Sequence, residues 1–336
     1  MKKFLIIQTA FIGDVVLATG ISEKLHQTFP DAQIDFLLRK GNEGLVKDHP
    51  FLHNVWVWDK KNQKNKNLLR IIGHVRKEKY DYVINVHRFA TSGLITWLSG
   101  AKNKIGFDKN PFSFCYTHKV KHVLSEPYTS NPLHETDRNH LLIRDITDDQ
   151  KALPKLYPSA KDYNSVKAYK NQPYVCIAPS SVWFTKQFPA EKWTELIDEI
   201  PERFSVYLLG APGDEAIAKT VIHASTNKRV VSLCGKLNFL ESAALMQHAT
   251  MNYANDSAPM HFASAVNAPV TAVYCSTVPA FGFGPLSDYN NVVEVPERLS
   301  CRPCGLHGHS ACPEGHFNCA KKITNSQLLW WTSKTT

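Results

Sequence analysis

Phe4-Leu5-Ile6-Ile7-Gln8-Thr9-Ala10-Phe11-Ile12-Gly13-Asp14 opens as an apolar run, turns polar, and passes at once into a helical pattern. Phe4 to Thr9 reads as a strand and Val15 to Phe29 as the helix after it, with Gly13 permitting a tight turn between them. The rhythm recurs. Gln33 to Leu38, Val55 to Trp58 and Tyr82 to Val86 read as further strands, and Leu68 to Lys79 as a helix with apolar residues three and four apart. Short apolar strands alternating with amphipathic helices predict a parallel sheet covered by helices.

The pattern fades over Lys151 to Pro173, a Lys-, Tyr- and Pro-containing stretch that reads as a linker, and then restarts. Strands are expected at Tyr174 to Ala178, Val206 to Leu209, Val230 to Leu233, Asn252 to Ala254 and Val270 to Tyr274. Helices are expected at Ala190 to Ile200, Asp214 to Ala224, Leu240 to His248 and Ala258 to Val266. The expectation is an α/β protein of two domains, 1–160 and 161–336, with a Cys/His-rich tail at 301–319. Small-molecule sites favour the cleft between two such halves and the carboxyl ends of their strands.

Bulk properties agree. A chain of 336 residues exceeds the size at which one core usually stops growing. With 43% hydrophobic and 21% charged residues it has globular values and no low-complexity run. No stretch approaches the ~20 apolar residues of a membrane span, and the apolar run after Lys2-Lys3 is too short for a signal peptide. The reading is a cytosolic protein. A formal charge of +9 favours anionic partners, a phosphate or an acidic membrane surface. No nucleic-acid-binding signature stands out, so nucleic acid is not expected.

Four segments carry candidate chemistry. In the first, Asp14 sits near a helix amino end, where free amides and the macrodipole keep a carboxylate ionised; it is either a proton acceptor for a hydroxyl or a simple helix cap. The second, Pro179 to Pro189, puts Thr185 beside Lys186 on a strand-end loop, suited to neutralising a diphosphate, or else merely exposes a lysine. The third, Asn255 to His261, offers the Ser257 and Ala258 amides as an anion site after Asp256; Asp256 as N-cap and His261 as packing are the plainer roles. The fourth is the tail, with four cysteines and three histidines in nineteen residues. Cys301, Cys304, Cys312 and Cys319 could hold a structural zinc or simply be reduced thiols. The remaining cysteines, Cys115, Cys176, Cys234 and Cys275, read as small buried apolar residues.

Taken in order, these segments and Phe29-Pro30-Asp31-Ala32 resemble the ADP-heptose:lipopolysaccharide heptosyltransferases, glycosyltransferase family 9, over nearly the whole chain. The resemblance implies a GT-B fold of two facing Rossmann-like domains with an interdomain cleft. It implies inverting transfer of heptose from ADP-heptose to a lipopolysaccharide-type glycolipid. Asp14 matches the family's catalytic base, and Thr185 and Lys186 its donor-phosphate contacts. Asp256, Ser257, Ala258 and His261 match the turn that holds donor sugar and diphosphate, and Glu215, after Gly210-Ala211-Pro212-Gly213-Asp214, the ribose partner. Two departures are Ser180 and Ala258, each standing where many members have Gly and each adding a Cβ near the phosphates. No cofactor is required on this reading. A nucleotide-sugar epimerase, a transferase with another donor, and a metal-binding scaffold built on the tail are the alternatives. A basic stretch, Lys60, Lys61, Lys64, Lys66, Arg70, Arg76, Lys77 and Lys79, is either a docking face for an anionic membrane or a solvated helix face.

Overall fold

The computed structural model describes residues 1–332. The chain divides into two compact units, one of Met1–Leu124 with Leu133–Tyr157, the other of Ser125–Pro132 with Pro158 onward.

The first unit runs β1 (Lys3–Ile7), α1 (Ile12–Thr28), β2 (Gln33–Arg39), β3 (Asn54–Trp58), α2 (Lys64–Glu78), β4 (Tyr82–Asn85), α3 (Ala90–Leu98), β5 (Asn103–Phe107), β6 (His118–Val120) and α4 (Glu135–Leu141). Its strands form one six-stranded sheet in the order β3-β2-β1-β4-β5-β6, every neighbouring pair parallel. The continuous apolar run Phe4–Ile7 is fully buried because a central parallel strand is covered on both faces.

Helix α1 is buried on nearly every side, not on one stripe. Its polar residues are covered by the returning chain: the Tyr157 hydroxyl donates to Glu23 at 2.8 Å, and Lys24 pairs with Asp148 at 2.6 Å. Gly20 sits where a Cβ would lie 2.8 Å from the Ala152 carbonyl oxygen, so the small residue allows this close approach.

The second unit runs α5 (Ala160–Ser165), β7 (Tyr174–Ala178), α6 (Ala190–Glu199), β8 (Ser205–Leu208), α7 (Glu215–Ala224), β9 (Val230–Ser232), α8 (Phe239–Met246), β10 (Met251–Asn255), α9 (Ala258–Ala265), β11 (Val270–Tyr274), β12 (Asn290–Glu294), α10 (Asn318–Lys321) and α11 (Asn325–Leu328). Its six-stranded parallel sheet has the order β12-β11-β10-β7-β8-β9. Numbered from its own first strand this is the order of the first unit, read from the other edge. Both units are therefore doubly wound sheets whose strand order reverses beside the first strand, between β1 and β4 and between β7 and β10. Ligands of such sheets bind outside the carboxyl ends of the strands at that reversal.

The core of the second unit joins strand residues Val175, Ile177 and Val206 to Trp193 and Leu196 of α6. The end of the chain closes it: Trp331 is buried and its indole N–H donates to the Tyr253 hydroxyl at 2.6 Å.

Candidate functional site

Four loops leave the carboxyl ends of the strands flanking the two reversal points. They carry most of the residues singled out from sequence.

In the first unit, the loop after β1 is short. Gly13 is already helical, so it makes no turn; Thr9 to Phe11 make it, with the Ala10 amide donating to the Gln8 side chain at 3.2 Å. Asp14 falls in the first turn of α1, and its carboxylate accepts the Phe11 amide at 3.1 Å. Of the two roles open to Asp14, the cap is therefore present. Burial, reinforced by the nearby Glu135 carboxylate, pushes the Asp14 carboxyl up to about 6. A base with that value is ionised at neutral pH, yet basic enough to draw a proton from a hydroxyl in the transition state.

Cations surround this loop. Lys60, after β3, donates to the Thr9 carbonyl at 2.7 Å, and its ammonium is drawn down to about 8 by burial and by Arg39 and Lys64. The Arg39 guanidinium lies over the Phe11 ring at 4.9 Å. His87, after β4, is hydrogen-bonded through Nδ1 to the Thr9 hydroxyl at 3.1 Å. Burial, with Lys60, Arg88 and Arg39 nearby, lowers the imidazole to about 4, so it is neutral at pH 7. Among the described residues, no carboxylate comes within ion-pair distance of Arg39, Lys60 or Arg88. The cluster is a group of cations without a carboxylate partner, with the Asp14 carboxylate beside it. His87 and Arg88 went unnoticed in the sequence; their only signal is their place just after the Tyr82 to Val86 strand, where a reversal-point loop begins.

Of the eight basic residues between Lys60 and Lys79, Lys60 is half-buried against this loop while the other seven are exposed on and around α2. Lys60 thus belongs to the cation cluster at the Thr9 loop and not to the solvated face.

In the second unit, Lys186 and Asp256 meet across the β7–β10 reversal with 2.6 Å between Nζ and Oδ2. The Thr277 hydroxyl donates to the same carboxylate at 2.7 Å. Both side chains of the ion pair are largely buried. Asn255, the last residue of β10 and fully buried, ties the loop down: its amide nitrogen donates to the carbonyls of Pro179 and Ser180, and its oxygen accepts the Phe188 amide at 2.9 Å. Beyond Asp256, Pro259 supplies no N–H and the Met260 amide turns back to the Ser257 carbonyl. Among the described contacts nothing engages the amides of Ser257 and Ala258, which stand at the positive end of α9. His261 lies inside α9, buried, its ring edge-on to Phe283. Glu215 opens α7 and accepts the Ser232 hydroxyl at 2.6 Å, which fixes it at the carboxyl ends of β8 and β9.

Thr185 is buried, and its hydroxyl is fully engaged within the protein. It accepts from the His309 amide at 2.8 Å and from the Ser276 hydroxyl at 3.0 Å, and donates to the His309 carbonyl at 3.3 Å. The tail therefore lies against the Thr185–Lys186 loop, a contact no local pattern announces.

Cys319 is buried in the apolar core, the Cys304 thiol donates to the Cys301 carbonyl at 3.2 Å, and Cys301 Sγ lies 3.9 Å from His316 Nε2. Among the described residues no group of three or more His, Cys, Asp or Glu side chains is arranged to hold a metal ion.

Comparison with known proteins gives the family and the fold. The sequence profile of glycosyltransferase family 9 (heptosyltransferase) matches residues 68–311. Lipopolysaccharide heptosyltransferase 3 of Escherichia coli K12 is 28% identical over 286 residues, 79% of this chain and 80% of that one. Two solved structures share the fold. A family 9 glycosyltransferase from Veillonella parvula superposes with a TM-score of 0.85 at 20% identity, covering 99% of this chain and 96% of its own. ADP-heptose LPS heptosyltransferase II of E. coli gives 0.80 at 18% identity, covering 99% and 98%.

Proposed function

The chain belongs to glycosyltransferase family 9, and from that premise we propose that it moves a heptose from ADP-heptose onto the core of a lipopolysaccharide-type glycolipid. The similar E. coli protein of 28% identity is a lipopolysaccharide heptosyltransferase, and the E. coli structural neighbour is named for ADP-heptose. The observation that carries the reading is the Lys186–Asp256 pair at the second reversal point: a buried ammonium, compensated by a carboxylate, beside two open amides.

In this mechanism the donor diphosphate takes the Lys186 ammonium and the Ser257 and Ala258 amides as its partners. Asp256, kept in place by Thr277, is freed to accept hydroxyls of the sugar. Glu215 faces the ribose. Asp14 accepts the proton of the acceptor hydroxyl as its oxygen attacks the anomeric carbon from the side opposite the diphosphate. The C1–O bond to the diphosphate breaks, its electron pair leaves with ADP, and configuration inverts. The negative charge of the leaving diphosphate is stabilised by Lys186 and the helix end, so the reading requires no cofactor. Arg39, Lys60 and Arg88 receive anionic groups of the acceptor, placing its hydroxyl at Asp14.

The acceptor is a membrane lipid, which favours a cytoplasmic enzyme that visits the membrane surface reversibly. Among the described residues no helix is long and apolar enough to cross a membrane. The exposed cations of α2, with Leu69 exposed among them, supply the attraction to anionic headgroups. The transferase reading is tested by offering the protein ADP-, UDP- and GDP-sugars with a heptose-deficient lipopolysaccharide acceptor and following free nucleoside diphosphate. ADP appearing only with ADP-heptose and acceptor together is expected; turnover of a different nucleotide sugar would overturn the donor.

A further inference from the structure

The tail segment between Arg302 and Phe317 is pinned at both ends. Arg302 is buried and donates to the carbonyls of Cys275 at 2.7 Å and Thr277 at 2.6 Å, while the Cys304 amide donates to the Ser276 carbonyl at 2.8 Å. At the other end Phe317 stacks on Phe184, ring centroids 5.3 Å apart. Between these anchors the chain touches the loop that carries Lys186. The Thr185 amide donates to the His309 carbonyl at 3.1 Å and the His309 amide to the Thr185 hydroxyl at 2.8 Å, a two-way backbone-to-residue clasp. Gly308 makes the approach possible. Its φ is +78°, and a Cβ there would lie 2.8 Å from Thr185 Oγ1, 3.1 Å from Ser276 Oγ and 3.2 Å from Lys186 Cγ.

We propose that the Gly308–His309 turn, clasped to Thr185 and Ser276, is a strap that positions the Lys186 ammonium for the donor diphosphate, so that Thr185 acts through the strap and not as a phosphate ligand. The inference rests on the diphosphate reading of Lys186. The Thr185 hydroxyl has used its proton on His309 and both acceptor directions on His309 and Ser276, so it has nothing left for a phosphate oxygen. Lys186 has a long flexible stem, and holding its Cγ against Gly308 removes freedom that would otherwise be lost on binding.

The experiment is calorimetric titration of ADP and of adenosine into wild type, Gly308→Ala, Ser276→Ala, Thr185→Val and Thr185→Ser, with a thermal melt of each. The strap predicts that Gly308→Ala, Ser276→Ala and Thr185→Val each weaken ADP, Gly308→Ala by about tenfold, equivalent to one charge-assisted contact. Adenosine affinity stays the same, and Thr185→Ser, which keeps the hydroxyl, binds ADP like wild type. A merely structural strap would lower melting temperatures while leaving ADP affinity unchanged, and that result overturns the proposal. So does loss of ADP affinity in Thr185→Val with none in Gly308→Ala and Ser276→Ala, the pattern of a direct hydroxyl–phosphate contact. Should Gly308→Ala not fold, the Ser276→Ala and Thr185→Val pair decides alone. Wild type that binds no ADP at all fails the donor reading itself and this inference with it.

Discussion

The two reversal points share a strand order and differ in how their charges are compensated. Beside β1, Arg39, Lys60 and Arg88 have no carboxylate partner within ion-pair distance among the described residues, and three neighbouring groups are displaced in pKa: Asp14 up, Lys60 and His87 down. Beside β7, the ammonium and carboxylate of Lys186 and Asp256 neutralise each other, the Thr277 hydroxyl holds the carboxylate, and Asn255 ties down the loop before α6. Identical topology thus supports two kinds of chemistry. An uncompensated cluster with a perturbed carboxylate suits proton transfer and capture of an anionic acceptor. On the proposed reading the compensated pair is a receptor in waiting: a diphosphate would replace the carboxylate as partner, the site staying neutral until it arrives.

The largest break in that comparison is Asp14→Asn. The amide keeps the size of the side chain and can still accept from the Phe11 amide, but it cannot take a proton. Turnover should fall by about 10²–10⁴-fold with ADP affinity unchanged, measured by initial rates and calorimetry. A fall in ADP affinity of similar size would place Asp14 in the donor site instead.

Lys186→Ala comes next. It removes a charge-assisted contact to the diphosphate, so ADP should bind about ten- to a hundredfold more weakly. It also leaves the Asp256 carboxylate buried without its cation, so the melting temperature of the empty protein should drop; Lys186→Ala with Asp256→Asn should recover the melt but not the ADP affinity. Recovery of both would show that the lysine serves only the fold.

The pH profile sharpens the contrast from the other side. The Asp14 carboxyl is raised, so its base form predominates above about 6 and the rate should decline as pH falls through that value; the limb should be missing from the residual activity of Asp14→Asn. The Lys60 ammonium is lowered, so its charge is present below about 8 and lost as pH rises through it. Acceptor KM should therefore climb above pH 8 while donor KM holds. Lys60→Gln and Arg88→Gln should raise acceptor KM by about three- to tenfold at pH 7 and flatten that rise only in the Lys60 variant. The smallest effect belongs to α2. Exchanging Lys64, Lys66 and Arg70 for Gln should reduce co-sedimentation with anionic vesicles at low salt and leave turnover on a detergent-dispersed acceptor unchanged.

How much of this was legible in the residues depends on whether the signal was local. Central parallel strands such as Phe4–Ile7 and Tyr174–Ala178 are buried on both faces, so their apolar runs were unmistakable. The strand β6, three residues long at the sheet edge, its neighbour β5, which begins with the polar Asn103 and Lys104, and the isolated turns of α4 and α5, carried too little periodicity to stand out. Ser125–Pro132 belongs with the second unit, through contacts such as the Tyr128 hydroxyl donating to the Arg302 carbonyl at 2.8 Å, which no reading along the chain anticipates. The site followed the same division. Asp14, Lys186 and Asp256 lie at strand ends entering helices, a place visible in sequence. Ser276, Thr277 and Gly308 act across distances of twenty to more than a hundred residues and became visible only when the fold brought them to the loop. The α1 helix looked amphipathic because its partner segment, Asp148 to Tyr157, lies far along the chain.

The central claim is that the acid–base chemistry belongs to the uncompensated end and donor capture to the compensated one. Its most direct test is ADP release from ADP-heptose with and without a heptose-deficient lipopolysaccharide acceptor, measured side by side for wild type, Asp14→Asn and Lys186→Ala at subsaturating and saturating donor. The account predicts acceptor-dependent release by wild type, near silence from Asp14→Asn at every donor concentration, and partial recovery of Lys186→Ala as donor is raised. Acceptor-independent release by wild type, or an Asp14→Asn enzyme restored by excess donor, would contradict it.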